Sequence, residues 1–247
     1  RRLMSDLARY RAFSDELVER LGLDIAPVAL AFADTAPAGV PTSDKVVPSA
    51  CAFWRAAERA VFFAPAAEHY NCPIGSMVMG FDLPPSVNDQ LMDMVGKMTA
   101  CGYIDPAEPS KIPVNKKGAK GIVYGPLAQF PITADAALLW LTPLQAMLWS
   151  EAAGGMEWGG KQPTTVFGRP GCAAIPTALS DRRPSLSFGC IGMRTFTGIP
   201  SDRMLAVISG GDLAAFIDSL RRVKGANDTM QAAYEGQKAQ ILGGAAH

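Results

Sequence analysis

Histidine is almost missing from this chain: there are two in 247 residues, and one of them, His247, is terminal. His69 is therefore the single interior imidazole, which excludes histidine-rich metal sites and any mechanism that needs two ring bases. Net charge is absent too. With 23 Lys+Arg against 23 Asp+Glu, no long-range field draws nucleic acid or anionic lipid. No run reaches the roughly 18 uninterrupted apolar residues of a spanning helix. Segment 49–66 is broken by Arg55, Glu58 and Arg59, and segment 136–149 by Pro143 and Gln145. Residues 1–20 alternate charged and apolar positions and lack the apolar stretch of a secretory signal. The expectation is a cytoplasmic protein with neither nucleic acid nor membrane as partner.

Several motifs are missing as well. Without G-x-S-x-G or G-x-G-x-x-G there is no nucleophile elbow and no dinucleotide fingerprint. Gly155 to Gln162 imitates the glycine and lysine spacing of a phosphate-binding loop. Gln162 replaces the Mg²⁺-binding hydroxyl, however, and Pro163 follows, so a phosphate-holding helix start is not expected there.

What is present is a chain able to bury a core. It is 49% hydrophobic and only 19% charged, with mean hydropathy +0.12, which excludes a disordered polymer. The spacing of Leu3, Leu7, Tyr10, Leu17 and Leu21 predicts a helix over 2–21. The unbroken apolar run 27–33 predicts a strand covered on both faces. Further on come a helix at about 50–60, a strand at 61–64, a Gly/Pro turn around 72–75, and a helix over 85–101 with Val87, Leu91, Met94 and Val95 on one stripe. The Lys/Gly-rich stretch 111–121 marks a boundary. Beyond it, strands are expected at 122–124, 136–141, 164–167, 185–188 and 204–208, with helices at about 143–152 and 172–179. A helix after Gly211 follows, and another over 226–242 with Met230, Tyr234 and Ile241 inward. The fold class is mixed α/β (α+β): a mixed sheet with flanking helices, in which an N-terminal half (1–110) and a C-terminal half (122–247) jointly build one site, or form a single domain. Trp140, Trp149 and Trp158 make a candidate homo-oligomer interface, with core packing as the commoner fate of such residues.

The five cysteines carry the chemistry. A cytosolic chain disfavours disulfides, leaving buried thiols, reactive thiols or metal ligands. Cys51, Cys72, Cys172 and Cys190 each sit where a strand or loop turns into a helix or a glycine-rich turn, and free backbone N–H groups there stabilise an anionic sulfur. Cys101, at the end of a helical stripe before Gly102, reads as a small core residue. Four thiolates match a tetrahedral Zn²⁺ or a [4Fe–4S] cluster, although no C-x-x-C pair is present and the fold would have to gather ligands from both halves. Gly75, Gly189 and Gly192 flank the sulfurs, and Arg169 and Arg194 could neutralise an anionic ligand, if they are not in solvent-facing salt bridges.

The segments His69-Tyr-Asn-Cys72-Pro-Ile-Gly75, Gly168-Arg-Pro-Gly-Cys172-Ala-Ala-Ile-Pro176 and Gly189-Cys190-Ile-Gly192-Met-Arg194-Thr-Phe-Thr-Gly198, with Leu21-Gly-Leu and Pro27-Val-Ala upstream, resemble the bacterial and archaeal domain of unknown function 169 family over most of the chain. Ile74 departs from the small residue expected after Cys-Pro. The resemblance implies cysteines at the positions of Cys51, Cys72, Cys172 and Cys190 and none at Cys101; it implies no activity. Three functions stand as expectations. The first is an iron–sulfur protein with a redox or substrate-ligation role, acting on a small-molecule ligand or redox partner, zinc being the second choice of metal. The second is a thiol enzyme in which Cys72 is nucleophile and His69 its base, acting on a small anionic substrate. The third is a non-catalytic small-molecule binding protein.

Overall fold

Strands written as unbroken apolar runs need cover on both faces, and the fold supplies it with two helical layers around one sheet. The computed structural model describes residues 2–154, 165–180, 182 and 184–244. The phosphate-loop imitation at 155–162, with Trp158, lies outside them, as do Thr164 and His247. Seven strands make the sheet: β1 (Val28–Ala33), β2 (Phe62–Pro65), β3 (Gly121–Pro126), β4 (Ala136–Leu141), β5 (Thr165–Phe167), β6 (Ser185–Ser187) and β7 (Met204–Ser209). Their order is β2-β3-β1-β4-β7-β6-β5, and β5–β6 is the parallel pair in an otherwise antiparallel ladder. β3 is inserted between β2 and β1, so the segments before and after residues 111–121 share one sheet.

Side chains alternate across this sheet. On one face Val28, Leu30 and Phe32 of β1 join Ile122 and Tyr124 of β3, Leu138 and Trp140 of β4, and Leu205 and Val207 of β7. On the other face stand Ala29 and Ala31, Val123, Leu139 and Leu141, and Ala206 and Ile208. The second face is covered by α1 (Arg2–Leu21), α5 (Pro143–Ala152) and α8 (Leu213–Gly244), through Tyr10 and Leu17, Trp149, and Phe216 and Ile217. Trp140 and Trp149 are core residues, one on each face. α5 starts on a capping box: Thr142 and Gln145 exchange side-chain and backbone bonds, with Pro143 at the first helical position. Arg221 of α8 donates to Glu16 of α1 at 2.7 Å, and with Arg20 it pulls the Glu16 carboxyl down to about 2.

The first face is covered by four short helices, α2 (Ala52–Ala56), α3 (Pro73–Val78), α6 (Ala174–Ser180) and α7 (Ile191–Thr197). The longer α4 (Pro85–Ala100) packs outside α3. Two sequence expectations change here. The turn around 72–75 is the first turn of α3, because Pro73 at the first helical position suits a helix start. The two C-terminal helices are one 32-residue helix, α8. Its second half is not inward: Met230, Tyr234 and Ile241 are 48%, 63% and 63% exposed. The reason is coverage. α8 is buried through Leu220, and among the described residues its last side-chain hydrogen bond to another element is Asn227 Nδ2 donating to Glu151 at 2.6 Å.

A chain ending at Thr229 should therefore melt within about 2 °C of the full chain, since exposed positions contribute within about 0.5 kcal/mol each way. Differential scanning calorimetry of the two proteins checks this, and a drop beyond about 5 °C would show that the distal helix has a covering partner.

Candidate functional site: four thiols on one cavity wall

Each of the four cysteines arrives on the same sheet face at the start of a short helix. Cys72 follows β2 and a 3-10 turn (Ala66–His69) and caps α3, its Sγ accepting from Gly75 N at 3.4 Å. Cys190 follows β6 and caps α7 in the same way, accepting from Met193 N at 3.3 Å. Cys172 lies in the 3-10 turn Gly171–Ala173 that leads into α6, just after β5. Cys51 precedes α2, and its sulfur is 3.0 Å from Ser49 Oγ. α2 packs on α7 and α3 on the turn that carries Cys172, which joins the four loops into one wall. All four cysteines line a single cavity of about 660 Å³.

Glycine makes two close approaches possible. A Cβ on Gly75 would lie 3.1 Å from Cys72 Sγ and 3.3 Å from Ala50 Cβ. Gly189 has φ +81, and a Cβ there would sit 2.0 Å from Met193 Cε; Gly171 in turn abuts the Gly189 Cα. These contacts hold the Cys172 and Cys190 loops against each other.

The sulfurs feel one another. Burial pushes the Cys51 thiol up to about 12, with neighbouring Cys72 and Cys190 adding to the rise against the Ser49 bond. Cys72 is raised by burial and then by Cys190, against the Gly75 N–H. Cys172 is raised well above the usual thiol range by burial, then by Cys72, Cys190 and Cys51. Like charges disfavour ionisation of a neighbour, so these three are protonated near neutral pH unless a cation joins them. Among the described residues, no group of three or more His, Cys, Asp or Glu side chains is drawn up to hold a metal ion.

The other candidate residues divide. Gly75 and Gly192 line the cavity beside the sulfurs, and Arg169 lies at its edge, over the Tyr103 ring at 4.8 Å and 3.4 Å from both Glu108 carboxylate oxygens. Gly189 is not on the lining; its role is the loop contact just described. Arg194 faces backbone instead. It donates to the carbonyls of Phe188 (2.6 Å from Nη2), Ser201 and Arg203, fastening α7 to the loops on either side. His69 is apart from the thiols, fully buried among Phe53, Phe81 and Tyr124. Its Nδ1 is 2.9 Å from Pro65 O, which can only accept, so Nδ1 carries the proton and Nε2 accepts from Tyr124 Oη at 3.0 Å. Both ring nitrogens are thus engaged. Cys101 is exposed rather than a core residue, because α4 ends there on the solvent side and its thiol bonds Met98 O.

Sequence reasoning missed the outer wall of the cavity, made by α4 and the segment 103–113. A signal existed: five of the eleven methionines fall between Met77 and Met98, and Met77, Met92, Met94 and Met98 line the cavity. Methionine suits irregular or adaptable apolar walls.

Burial depresses the His69 imidazole from 6.5 to about 4. The unfolded chain therefore binds a proton that the native state refuses between those values, and stability falls as pH drops from about 6.5 to 4, by at most about 3 kcal/mol from this group. Urea midpoints measured across that range should decline, and a flat profile would show the native ring protonated. Gly189→Ala should cost about 1–3 kcal/mol through its left-handed backbone and the Met193 contact. Urea unfolding measures this, and a loss below about 0.5 kcal/mol would show that the loop relaxes around the added methyl.

No curated protein and no solved structure matches the chain. A family model does match, across residues 16–219, the stretch that contains β1 to β7 and all four clustered cysteines. The chain belongs to the domain of unknown function 169 family, described as uncharacterised ArCR.

Proposed function

We propose that this is a cytoplasmic iron–sulfur protein that holds a [4Fe–4S] cluster on Cys51, Cys72, Cys172 and Cys190 and serves a redox or substrate-ligation role toward a small molecule. The observation that carries the reading is the convergence of four sulfurs, from segments up to 139 residues apart in sequence (190 − 51), on one wall of a mainly apolar cavity. Four thiolates are the full ligand set of such a cluster, which supplies one-electron transfer when bound.

The chain's own contributions can be derived. The amides of Gly75 and Met193 already point at Cys72 and Cys190, and N–H donors to sulfur favour the anionic state and tune its potential. The apolar lining limits water. The raised thiols of Cys51, Cys72 and Cys172 must give up protons on binding a cation, so metal affinity strengthens as pH rises.

Zinc is the second metal. A single tetrahedral zinc, with Zn–S near ~2.3 Å, needs its sulfurs within about 4 Å of one another. Among the described residues no group of three or more ligands is drawn up to hold either metal, so the choice of iron over zinc rests on the soft thiolates and the glycine-rich, apolar loops around them. The Cys72–His69 thiol-enzyme reading loses support, since both His69 nitrogens are bonded elsewhere and its ring does not line the cavity.

Anaerobic purification should yield a brown protein with about four iron and four sulfide per chain, and the colour should bleach in air. Serine at any of the four positions should remove most of the iron, whereas Cys101→Ser should retain it. Colourless protein that stays metal-free after anaerobic reconstitution would overturn the proposal; one zinc per chain would replace the cluster with the second metal.

A further inference from the structure

The sulfurs occupy only one part of the cavity. Its volume of about 660 Å³ falls within the ~300–1,000 Å³ of small-molecule sites, and the remainder is lined by apolar side chains of a particular kind. α4 presents Leu91, Met94, Val95 and Met98, while Met77 and Phe196 add to the same surface. Unbranched thioethers adapt to an extended or planar apolar body at little cost. At the mouth, Met92, Ile191 and Phe196 are exposed, so the apolar surface continues outward instead of closing over.

The charges on the lining are few and unbalanced. Glu108, Lys111 and Arg169 are the three charged residues on it, all reaching solvent. Glu108 meets Arg169 at a long 3.4 Å and also accepts from Asp105 N. Lys111 has no ion-pair partner among the described residues. Two cations and one carboxylate on the lining leave one positive charge beside an apolar chamber. A ligand complementary to that arrangement has one anionic end and an apolar body.

We propose that the cavity binds a monocarboxylic acid with an extended alkyl or aryl body, its carboxylate at Arg169 and Lys111 and its apolar part along α4 toward the thiols. Binding itself stands on the cavity and its charges; that the acid is the substrate or effector of the sulfur centre rests on the reading given above.

The test uses the full chain, both metal-free and after anaerobic reconstitution, with dodecanoate and 4-butylbenzoate as probes below their aggregation limits. Calorimetric titration should show at least one acid binding, and binding about tenfold tighter than the corresponding alcohol, the effect of one partly exposed charge-assisted contact. Arg169→Ala with Lys111→Ala should bring the acid down to the level of the alcohol and leave the alcohol unchanged. Met98→Trp, which fills the chamber from a half-buried position, should weaken both, with circular dichroism checking the fold. No binding of either acid, equal binding of dodecanol or dodecyltrimethylammonium, or acid binding indifferent to the double substitution would each overturn the proposal. Metal content, measured on the same samples, keeps the two readings apart. Acid bound by a protein that never takes up metal sinks the cluster alone, and a loaded protein that ignores both acids sinks the ligand alone.

Discussion

Sulfur atoms collected in an apolar pocket can stay neutral or share a cation; they cannot all ionise by themselves. Burial and mutual repulsion act in the same direction on Cys51, Cys72 and Cys172, and the Gly75 amide acts in the opposite one on Cys72. The first pair of effects keeps those three thiols protonated near neutral pH. The second favours negative charge at Cys72, where the two meet. Cys51, Cys72 and Cys172 therefore offer little thiolate as nucleophiles near neutral pH.

The sheet makes the arrangement affordable by dividing labour between its faces. α1, α5 and α8 cover one face with large side chains such as Tyr10, Trp149 and Phe216. Short helices on the other face carry the cysteines at their first turns. Short helices leave many backbone N–H groups near their starts without intrahelical partners, and two of these are satisfied by sulfur. Beneath them Phe53, Tyr124 and His69 form a buried aromatic floor. The single interior histidine is spent there as a neutral hydrogen-bonding spacer between Pro65 and Tyr124.

Much of the framework was legible. Continuous apolar runs marked β1, β4 and β7 because a strand covered twice has no polar face to interrupt it, and the stripe from Val87 to Val95 marked α4. Placing the four cysteines before helices or tight turns was also possible, since Pro73 after Cys72 and the glycines around Cys190 are local signals. Other features depended on what lies alongside. Periodicity of Met230, Tyr234 and Ile241 is real, yet among the described residues nothing covers that part of α8, and the same pattern could not reveal the missing neighbour. The stripe of α4 was legible as a stripe, but not that its Leu91, Met94 and Val95 line a cavity; periodicity reports which residues share a face and is silent on what that face meets.

The sequence alone determined the membership of the thiol set and its local chemistry: cysteines beside glycines and helix starts, separated from Cys101 by context, in a chain with no spare imidazole and no net charge. Tertiary structure decided convergence. Residues 51, 72, 172 and 190 are far apart along the chain, and only the sheet order, with the contacts of α2 on α7 and α3 on the Cys172 turn, brings them to one wall. Local sequence acts over a turn or two of backbone, while proximity across more than a hundred residues is a property of how strands pair and layers pack.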